Sequence, residues 1–307
     1  MRRQSMKLPE GVMTTIILRS VRILAAIVFI LSFFRSAQAA EQLLVVYAGH
    51  NESVAPMWVG IEKGLFNKYG LDVRMLQVRS APLVTATLAS GSVQVVWTSP
   101  STALSAAAWG LKISYVASPI NRIARDLVAR REIKSLENLR GRIFGVQSIG
   151  GGFWLYTMIL LENLSLDPEK YQLKMRVIGD TATIAQALIS NNVDAAVLPY
   201  SFSEIAKRAG FHSLADAAEL KGPFQLTGLF ARKDFVGNHP EVITSLVQGI
   251  IEAVVFIHDP KNSQDVTEVL RKNLRFNRAE DAEASYKVLR LIATLDVAPN
   301  LEAWRTI

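Results

Sequence analysis

Residues 87–100 read "TLASGSVQVVWTSP", and residues 187–200 read "ALISNNVDAAVLPY". Each stretch has the pattern of an apolar helix, a short polar turn, a strand of small residues and a turn that contains proline. The two stretches lie 100 positions apart and share three identities, at Leu88, Ser90 and Val93 of the first. Three identities support a duplication only weakly, because any two β-α-β units share this order of helix, turn and strand. The shared order of elements nevertheless predicts two lobes of similar design.

The segments around these stretches continue the alternation of strand and helix. Residues 43–47 ("LLVVY") and 71–78 ("LDVRMLQV") have strand patterns, and a helix is expected to begin near Pro56 between them. A strand similar to the second of these, "LKMRVI", precedes the stretch at 187–200. This order predicts an α/β fold with a mainly parallel sheet in each lobe and helices on both faces.

Two segments are candidate crossings between the lobes. Residues 116–126 link the two similar stretches, and residues 220–228 follow the second. A strongly amphipathic helix then begins the C-terminal segment, which we expect to pack back on the first lobe. The predicted organisation is a first lobe formed by residues 40–120 and 225–307, and a second lobe formed by residues 121–224.

The first 39 residues have the pattern of a cleaved signal peptide. A basic region precedes 12 apolar residues, Ile23–Phe34, and Ala37-Gln38-Ala39 matches a cleavage site after Ala39. A membrane-spanning helix needs about 20 apolar residues, so the pattern favours secretion into a periplasm-like compartment. Six Lys or Arg and one Glu lie in this segment, which therefore carries +5 of the formal net charge of +7. The remaining chain is near +2, and no basic stripe indicates a nucleic-acid partner.

The sequence contains no cysteine. This excludes disulfides, thiol catalysis, cysteine metal ligands and a lipid-modified N-terminal cysteine. The four histidines show no i, i+4 pairing with acidic residues that would indicate a metal site. We therefore expect no metal and no cofactor.

Residues 145–158, "GVQSIGGGFWLYTM", place three glycines between a strand pattern and a helix pattern. Phe153 follows the last glycine where a Walker A loop needs lysine, and Leu155 stands where the dinucleotide fingerprint needs Gly or Ala. The spacing around Ser148 is one residue too long for a nucleophile elbow. Two interpretations remain open. Backbone N–H groups at the helix N-terminus could bind an anion or polar acceptor, or the glycines could serve a tight turn with close packing.

The sequence resembles a family of transport proteins. The strings "APMWVGIEKGLFNKYGLDV" (55–73), "TLASGSVQVVWTSPSTAL" (87–104) and "REIKSLENLRGRIFGVQSIGGG" (131–152) are similar to those of periplasmic substrate-binding proteins of ABC importers. The likeness extends over about residues 43–260 and is to the nitrate, sulfonate and taurine type, with its pyrimidine-precursor-binding relatives. It implies a two-lobed, type II venus-flytrap fold that closes on a small ligand. The family's "SGxVD" pattern has Asp194 in the second copy but Gln94 in the first, and the end "LEAWRTI" is short.

The resemblance also implies ligand contacts at the turns that line the family's cleft. The matching positions are His50, Asn51, Ser80, Thr98, Ser99, Arg122, Gln147, Ser148, Gly151, Gly152, Asp180 and Tyr200. For an anionic ligand we expect hydroxyls from Ser99 and Ser148, backbone amides from the last two glycines, and Arg122 as the countercharge. Other roles stay open, because Arg122 could be a solvated hinge residue and Ser99 could cap the following helix.

The implied function is that of a binding protein without enzymatic activity. It would capture a small polar or anionic molecule and deliver it to an ABC permease with its ATPase, as a monomer in the periplasm. Nitrate, sulfonates, taurine and a pyrimidine all remain open as ligands. The alternatives are a pyrimidine-precursor-binding protein and a ligand-sensing domain that docks on a membrane receptor. An enzyme on the same fold is disfavoured, because the fungal relatives that make a pyrimidine precursor carry a cysteine-rich segment.

Overall fold

The computed structural model describes residues 40–220 and 225–304, and the chain from Ala40 onward forms one compact unit. The signal peptide predicted for residues 1–39 and part of the second predicted crossing, residues 221–224, lie outside the described residues. The strands are β1 (Glu41–Tyr47), β2 (Leu71–Gln77), β3 (Val95–Thr98), β4 (Ile113–Ile120), β5 (Arg125–Ala129), β6 (Ile143–Val146), β7 (Lys174–Val177), β8 (Ala195–Pro199), β9 (His212–Asp216) and β10 (Thr227–Arg232).

The helices alternate with these strands in the first two thirds of the described chain and follow one another after β10. They are α1 (Ala55–Glu62), α2 (Ala81–Ala89), α3 (Pro100–Ala108), α4 (Gly151–Asn163), α5 (Thr181–Ile189), α6 (Tyr200–Arg208), α7 (Lys233–Asn238), α8 (Pro240–His258), α9 (Ser263–Leu274), α10 (Ala279–Ile292) and α11 (Leu301–Trp304). Short 3₁₀ turns include Glu52–Val54, just before α1.

The strands form two five-stranded sheets with the same plan. Sheet A has the order β2-β1-β3-β10-β4, and sheet B has the order β7-β6-β8-β5-β9. We call the part of the chain that carries sheet A lobe A and the part that carries sheet B lobe B. The two-lobed α/β fold predicted from the sequence is confirmed, while the residue boundaries assigned to the lobes stay a prediction.

Each sheet is mixed and mainly parallel, as predicted, with one reversed strand among its five. In the described chain, β10 pairs antiparallel with both neighbours in sheet A, and β5 does so in sheet B. The other strands of each sheet run in one direction. In both sheets the reversed strand is the one that follows a crossing from the other lobe, so its direction depends on the path between lobes. The local β-α alternation carries no information about that path.

The 100-residue offset holds for whole elements. Helices α2 and α5 begin and end 100 positions apart, and so do α3 and α6. The shared order of elements is therefore confirmed. The first crossing is short, because β4 ends at Ile120 and β5 begins at Arg125, inside the predicted segment 116–126.

Helix α8 is long and apolar enough to span a membrane by length and composition, with a mean hydropathy of 1.6. Its buried residues include Val242, Leu246, Ile250 and Ala253, which lie at helical spacing and belong to the main hydrophobic core. The helix packs on α1 and β4 of lobe A. Helix α10 packs on α9 and also on α6 of lobe B, so the C-terminal helices contact both lobes.

Candidate ligand-binding site

A pocket lies between the two sheets, where the carboxyl ends of β1, β3 and β6 meet the amino ends of α3 and α4. This edge of a parallel β-α unit is where ligands usually bind. The pocket has a volume of about 60 Å³, room for roughly four to six water-sized groups. Its wall is formed by Ala48, Gly49, Asn51, Ser53, Ala81, Trp97, Thr98, Ser99, Thr102, Arg125, Gln147, Ser148, Gly150, Gly152, Phe153, Tyr156, Leu226 and Thr227.

Arg125 supplies the positive charge of this pocket. It is the first residue of β5, its backbone is paired with Pro199 of β8, and its side chain is only 5% exposed. The guanidinium carbon lies 4.4 Å from the ring centroid of Phe153, a cation–π contact. Its Nε and Nη1 have no hydrogen-bond partner among the described residues. Burial lowers the pKa of Arg125 to about 10, so the side chain is still charged at neutral pH.

An unpaired buried charge is costly, and an anion in the pocket would remove that cost. Two further polar atoms of the wall are buried without a partner among the described residues, Nε1 of Trp97 and Oγ1 of Thr227. Both residues belong to sheet A, whereas Arg125 belongs to sheet B. Residues of both lobes in the wall of one small cavity therefore carry buried polar atoms that have no hydrogen-bond partner among the described residues.

Ser99 places a cluster of hydroxyls on the wall of lobe A. Its Oγ accepts a hydrogen bond of 3.2 Å from the backbone N–H of Thr102 and caps helix α3. The same oxygen lies 3.0 Å from Oγ of Ser101 and 2.9 Å from Oγ1 of Thr102. The capping role left open by the sequence is thus observed. Because Ser99 also lines the pocket, the cap holds its hydroxyl in place beside a ligand.

Two of the three glycines of lobe B, Gly151 and Gly152, are required by close packing against lobe A. A Cβ atom at Gly152 would lie 2.3 Å from both Cβ and Oγ of Ser99, and one at Gly151 would lie 2.5 Å from Cβ of Ala81. Gly150 and Gly151 also adopt φ values of 82° and 79°, which favour glycine. The glycines therefore let the amino end of α4 reach the opposite lobe. Gly152 lies in the pocket wall as well, so for this residue close packing is observed and the binding of an anion by its backbone N–H stays a prediction.

A buried carboxyl lies directly behind the wall. The side chain of Glu52 is 1% exposed, and its Oε2 accepts a 2.5 Å hydrogen bond from Oγ of Ser201, on α6 of lobe B. Burial raises the pKa of Glu52, and the Ser201 hydrogen bond and the charge of Arg125 oppose that shift. The neighbours of Glu52 in the chain, Asn51 and Ser53, both line the pocket.

Six of the twelve predicted ligand residues line this pocket: Asn51, Thr98, Ser99, Gln147, Ser148 and Gly152. Their contact with a ligand stays a prediction. The other six lie outside the wall: His50, Ser80, Arg122, Gly151, Asp180 and Tyr200.

Most of these six have other partners. His50 bridges the hydroxyl of Tyr47 at 3.0 Å and the carbonyl of Asn273 at 2.9 Å. Asp180 caps α5 by accepting from the backbone of Thr183, and Tyr200 donates its hydroxyl to Asp216. Ser80 precedes α2 without a side-chain cap, and Gly151 packs on Ala81.

Arg122 is exposed and lines a separate surface hollow with Asn121 and Ala217. Arg125, not Arg122, lines the pocket, and the expectation that Arg122 is the countercharge stays a prediction. Little in the sequence favoured Arg125, because it begins the apolar strand "RDLVA". A charge at the edge of a buried strand was the available signal.

No group of three or more His, Asp or Glu residues that could hold a metal ion occurs in residues 40–220 and 225–304. The residues that line the pocket carry hydroxyl, amide and guanidinium groups and no carboxylate. The chemistry of the site is therefore that of hydrogen-bond donors around one cation.

Comparisons with known proteins agree with this fold. A family described as NMT1/THI5 like matches residues 51–263. A protein of Brucella abortus (strain 2308), provisionally named a binding protein, is 26% identical over 230 residues, which are 73% of this chain and 70% of that protein.

Two solved structures have a similar fold. The ligand-binding component of an ABC-type import system from Staphylococcus aureus, with zinc bound, has a TM-score of 0.70 at 13% identity and covers 87% of this chain and 89% of its own. The alkanesulfonate-binding protein SsuA from Xanthomonas axonopodis pv. citri, bound to MOPS, has a TM-score of 0.69 at 14% identity, with 86% and 88% covered. At these identities the likeness shows the fold alone.

Proposed function

The chain belongs to the NMT1/THI5-like family, and on that premise we propose that it is the substrate-binding component of an ABC importer and captures a small monoanion between its lobes. The observation that carries the proposal is the unpartnered guanidinium of Arg125 in the wall of the pocket. Oxygen atoms of a sulfonate, nitrate or carboxylate would accept hydrogen bonds from Nε and Nη1 of Arg125, which have no partner among the described residues.

The other lobe supports the same ligand chemistry. Ser99, Thr98 and Thr227 bring hydroxyls to the pocket, and Trp97 brings an indole N–H without a partner. Donors from both lobes could bind one ligand only when the lobes are together, so the ligand would stabilise the closed arrangement. Binding would then present a closed protein to the permease.

The pocket favours some of the candidate ligands over others. Taurine carries an ammonium group, and no described residue of the wall offers it a carboxylate. A pyrimidine would need an open aromatic face, but the ring of Phe153 is covered by Arg125. A volume of about 60 Å³ also favours a ligand of few atoms. We therefore place small sulfonates, nitrate and short carboxylates ahead of taurine and pyrimidines.

The remaining parts of the proposal rest on the family. They are a periplasmic location after removal of residues 1–39, an ABC permease with its ATPase as partners, and a monomeric protein. The similarity to a ligand-binding component of an import system supports the partners.

The test is a titration of the protein with methanesulfonate, nitrate, acetate, taurine and a hydroxymethylpyrimidine, followed by thermal shift and calorimetry. A ligand at 100 times its Kd should stabilise the protein by about 2.7 kcal/mol. We expect Arg125→Gln to weaken binding of the best anion by at least about 2 kcal/mol, roughly 30-fold, because a buried charge-assisted contact is lost.

Arg122→Gln is the matched control, since it removes an arginine three residues away that is exposed. We expect its affinity to stay within about twofold of the wild type, as exposed charges contribute little. Equal losses in both variants would contradict the assignment of Arg125. Binding of the pyrimidine but of no anion would overturn the proposed ligand class.

A further inference from the structure

Glu52 is a buried titratable group that the proposed binding reaction does not yet use. It lies one residue from two residues of the pocket wall, and its carboxylate accepts a hydrogen bond from Ser201 of the other lobe. The charge of Arg125 acts on Glu52 and favours its ionised form. The guanidinium belongs to the same pocket wall as Asn51 and Ser53, and its Nε and Nη1 are buried without a hydrogen-bond partner among the described residues.

The other charged groups near Glu52 are engaged elsewhere. On the elements that pack against it these are His50 before the turn, Glu62 on α1, Glu204, Lys207 and Arg208 on α6, Asp126 on β5, and Asp281 on α10. Lys207 pairs with Asp126 and Glu204, Arg208 pairs with Asp281, and Glu62 pairs with Lys272. Burial lowers the pKa of His50, which favours its neutral form. Arg125 is thus the cation whose charge bears on Glu52.

The binding of an anion changes the charge of this region. Where Glu52 is ionised in the free protein, its charge and that of Arg125 balance each other. A monoanion against Arg125 would leave one net negative charge in a buried place, which is unfavourable. The carboxylate can remove that charge by taking up a proton from the solvent, with formation of one O–H bond. The hydroxyl of Ser201 can then accept a hydrogen bond where it previously donated one.

We propose that Glu52 determines the charge of the ligand that the pocket accepts, because the anion enters together with one proton that the Glu52 carboxylate takes up. This inference rests on the proposed function. It makes Glu52 a positioning residue that acts through Arg125 and touches no ligand itself. A monoanion with its proton keeps the region neutral, whereas a dianion leaves a buried negative charge, so the pocket discriminates against dianions.

The proton linkage has a definite sign. Where free protein holds ionised Glu52 and the complex holds the neutral form, binding consumes one proton, so affinity rises as pH falls. When binding takes up one full proton, affinity rises tenfold for each unit by which pH falls. At a pH low enough to protonate Glu52 in the free protein, affinity becomes independent of pH.

The experiment is calorimetric titration with methanesulfonate, which stays ionised throughout, between pH 5.5 and 8.5. Each pH is measured in two buffers that differ in ionisation enthalpy, so the difference in measured enthalpy counts the protons taken up. We expect uptake approaching one proton and a several-fold loss of affinity per pH unit as pH rises. Methylphosphonate, a dianion at pH 8.5, should bind at least tenfold more weakly than methanesulfonate there.

Glu52→Gln keeps an acceptor for Ser201 and cannot ionise. We expect it to bind methanesulfonate without proton uptake, with an affinity independent of pH and tighter than the wild type at pH 8.5. Glu283→Gln, an exposed position on α10, is the control and should keep the behaviour of the wild type.

The two proposals fail in different ways. Methanesulfonate binding by the wild type without proton uptake or pH dependence would overturn the role of Glu52 and leave the proposed function standing. The absence of binding by nitrate, acetate and methanesulfonate would overturn the proposed function and the linkage together. The proton count is made on the wild type, so it does not depend on the folding of a variant.

Discussion

The two walls of the pocket use different means to hold a ligand. Lobe A presents neutral groups, and its hydroxyl cluster is fixed by local hydrogen bonds around Ser99 at the start of α3. Lobe B presents a cation without hydrogen-bond partners for Nε and Nη1, at Arg125, and a helix start made of glycines. The Ser99 cluster of lobe A is satisfied by its own hydrogen bonds. Nε1 of Trp97 and Oγ1 of Thr227 in the same lobe, and Nε and Nη1 of Arg125 in lobe B, lack partners among the described residues. Lobe A therefore leaves neutral groups without partners, whereas lobe B leaves a charged one.

This difference assigns separate tasks to the lobes. The hydroxyls around Ser99 are already held by local hydrogen bonds, so their side chains lose little further entropy when a ligand binds. This wall can therefore orient the ligand. A wall with an unsatisfied charge supplies the driving force for binding an anion. The glycines of lobe B allow the two walls to meet. A substitution at the contact between Gly152 and Ser99 therefore tests most directly whether ligand binding needs both walls.

The largest effect is expected from Gly152→Ala. The added Cβ would lie 2.3 Å from Ser99 and force the lobes apart, and overpacking of this kind costs about 1–3 kcal/mol. We expect anion affinity to fall roughly 10- to 100-fold, measured by calorimetry. Lobe B itself should not be destabilised, because alanine is favoured over glycine in a helix by about 1 kcal/mol.

A rescue and a control accompany this variant. Ser99→Gly removes the atoms that clash and, as an N-cap, costs only a few tenths of a kcal/mol, so the double variant should recover part of the affinity. Gly237→Ala lies in α7 with no atom within 4 Å of its added Cβ and should leave affinity unchanged. Equal affinity of Gly152→Ala and wild type would mean that ligand binding does not need this contact.

The order of strands and helices could be predicted from the sequence because each element is determined by a local pattern. The alternation of elements is encoded within windows of ten to fifteen residues, and the offset of 100 positions holds for α2 and α5 at both ends. Strand direction at β5 and β10 was not predictable, since it depends on where the chain returns from the other lobe. The same limit explains the glycine run, whose contacts with Ala81 and Ser99 join residues far apart in sequence.

The site was predictable in part for a related reason. Turns that follow strands can be recognised locally, so Thr98, Ser99 and Gln147, which line the pocket, could be named as candidates. Whether Arg122 or Arg125 is buried depends on where β5 begins after the crossing. The strand begins at Arg125, three positions after Arg122, so the Arg125 side chain is the buried one. Glu52 was not singled out, because its burial comes from the approach of α6.

A smaller effect is expected from two serines of the pocket wall, one from each lobe. Ser99→Ala removes an N-cap and should lower the free energy of unfolding by about 1 kcal/mol. Its hydroxyl also borders the pocket, so we expect anion affinity to fall about fivefold, in line with one lost hydrogen bond of about 1 kcal/mol. Chemical denaturation and calorimetry measure the two quantities separately.

Ser148→Ala is the matching substitution in lobe B, to be compared with Ser99→Ala in lobe A. The Ser148 hydroxyl already donates to the carbonyl of Gly150 at 3.2 Å, within its own turn. Its proton is therefore less available to a ligand, and we expect affinity within about twofold of the wild type, the range of a weak contact. A larger loss from Ser148 than from Ser99 would reverse the roles assigned to the two walls.

The smallest effect on binding is expected from Asp180→Ala, which separates a capping role from a binding role. Asp180 caps α5 through the backbone N–H of Thr183 at 2.9 Å and lies outside the pocket wall. Loss of the cap should lower the free energy of unfolding by about 1 kcal/mol, as for Ser99. Because its carboxylate repels rather than attracts an anion, the affinity for methanesulfonate should stay the same or rise slightly. A matched loss of stability in Asp180→Ala and Ser99→Ala, with a loss of affinity in Ser99→Ala alone, would separate the pocket wall from the turns around it. A fall in affinity on removal of Asp180 would instead extend the site to the turn before α5 and favour a ligand that carries a hydrogen-bond donor.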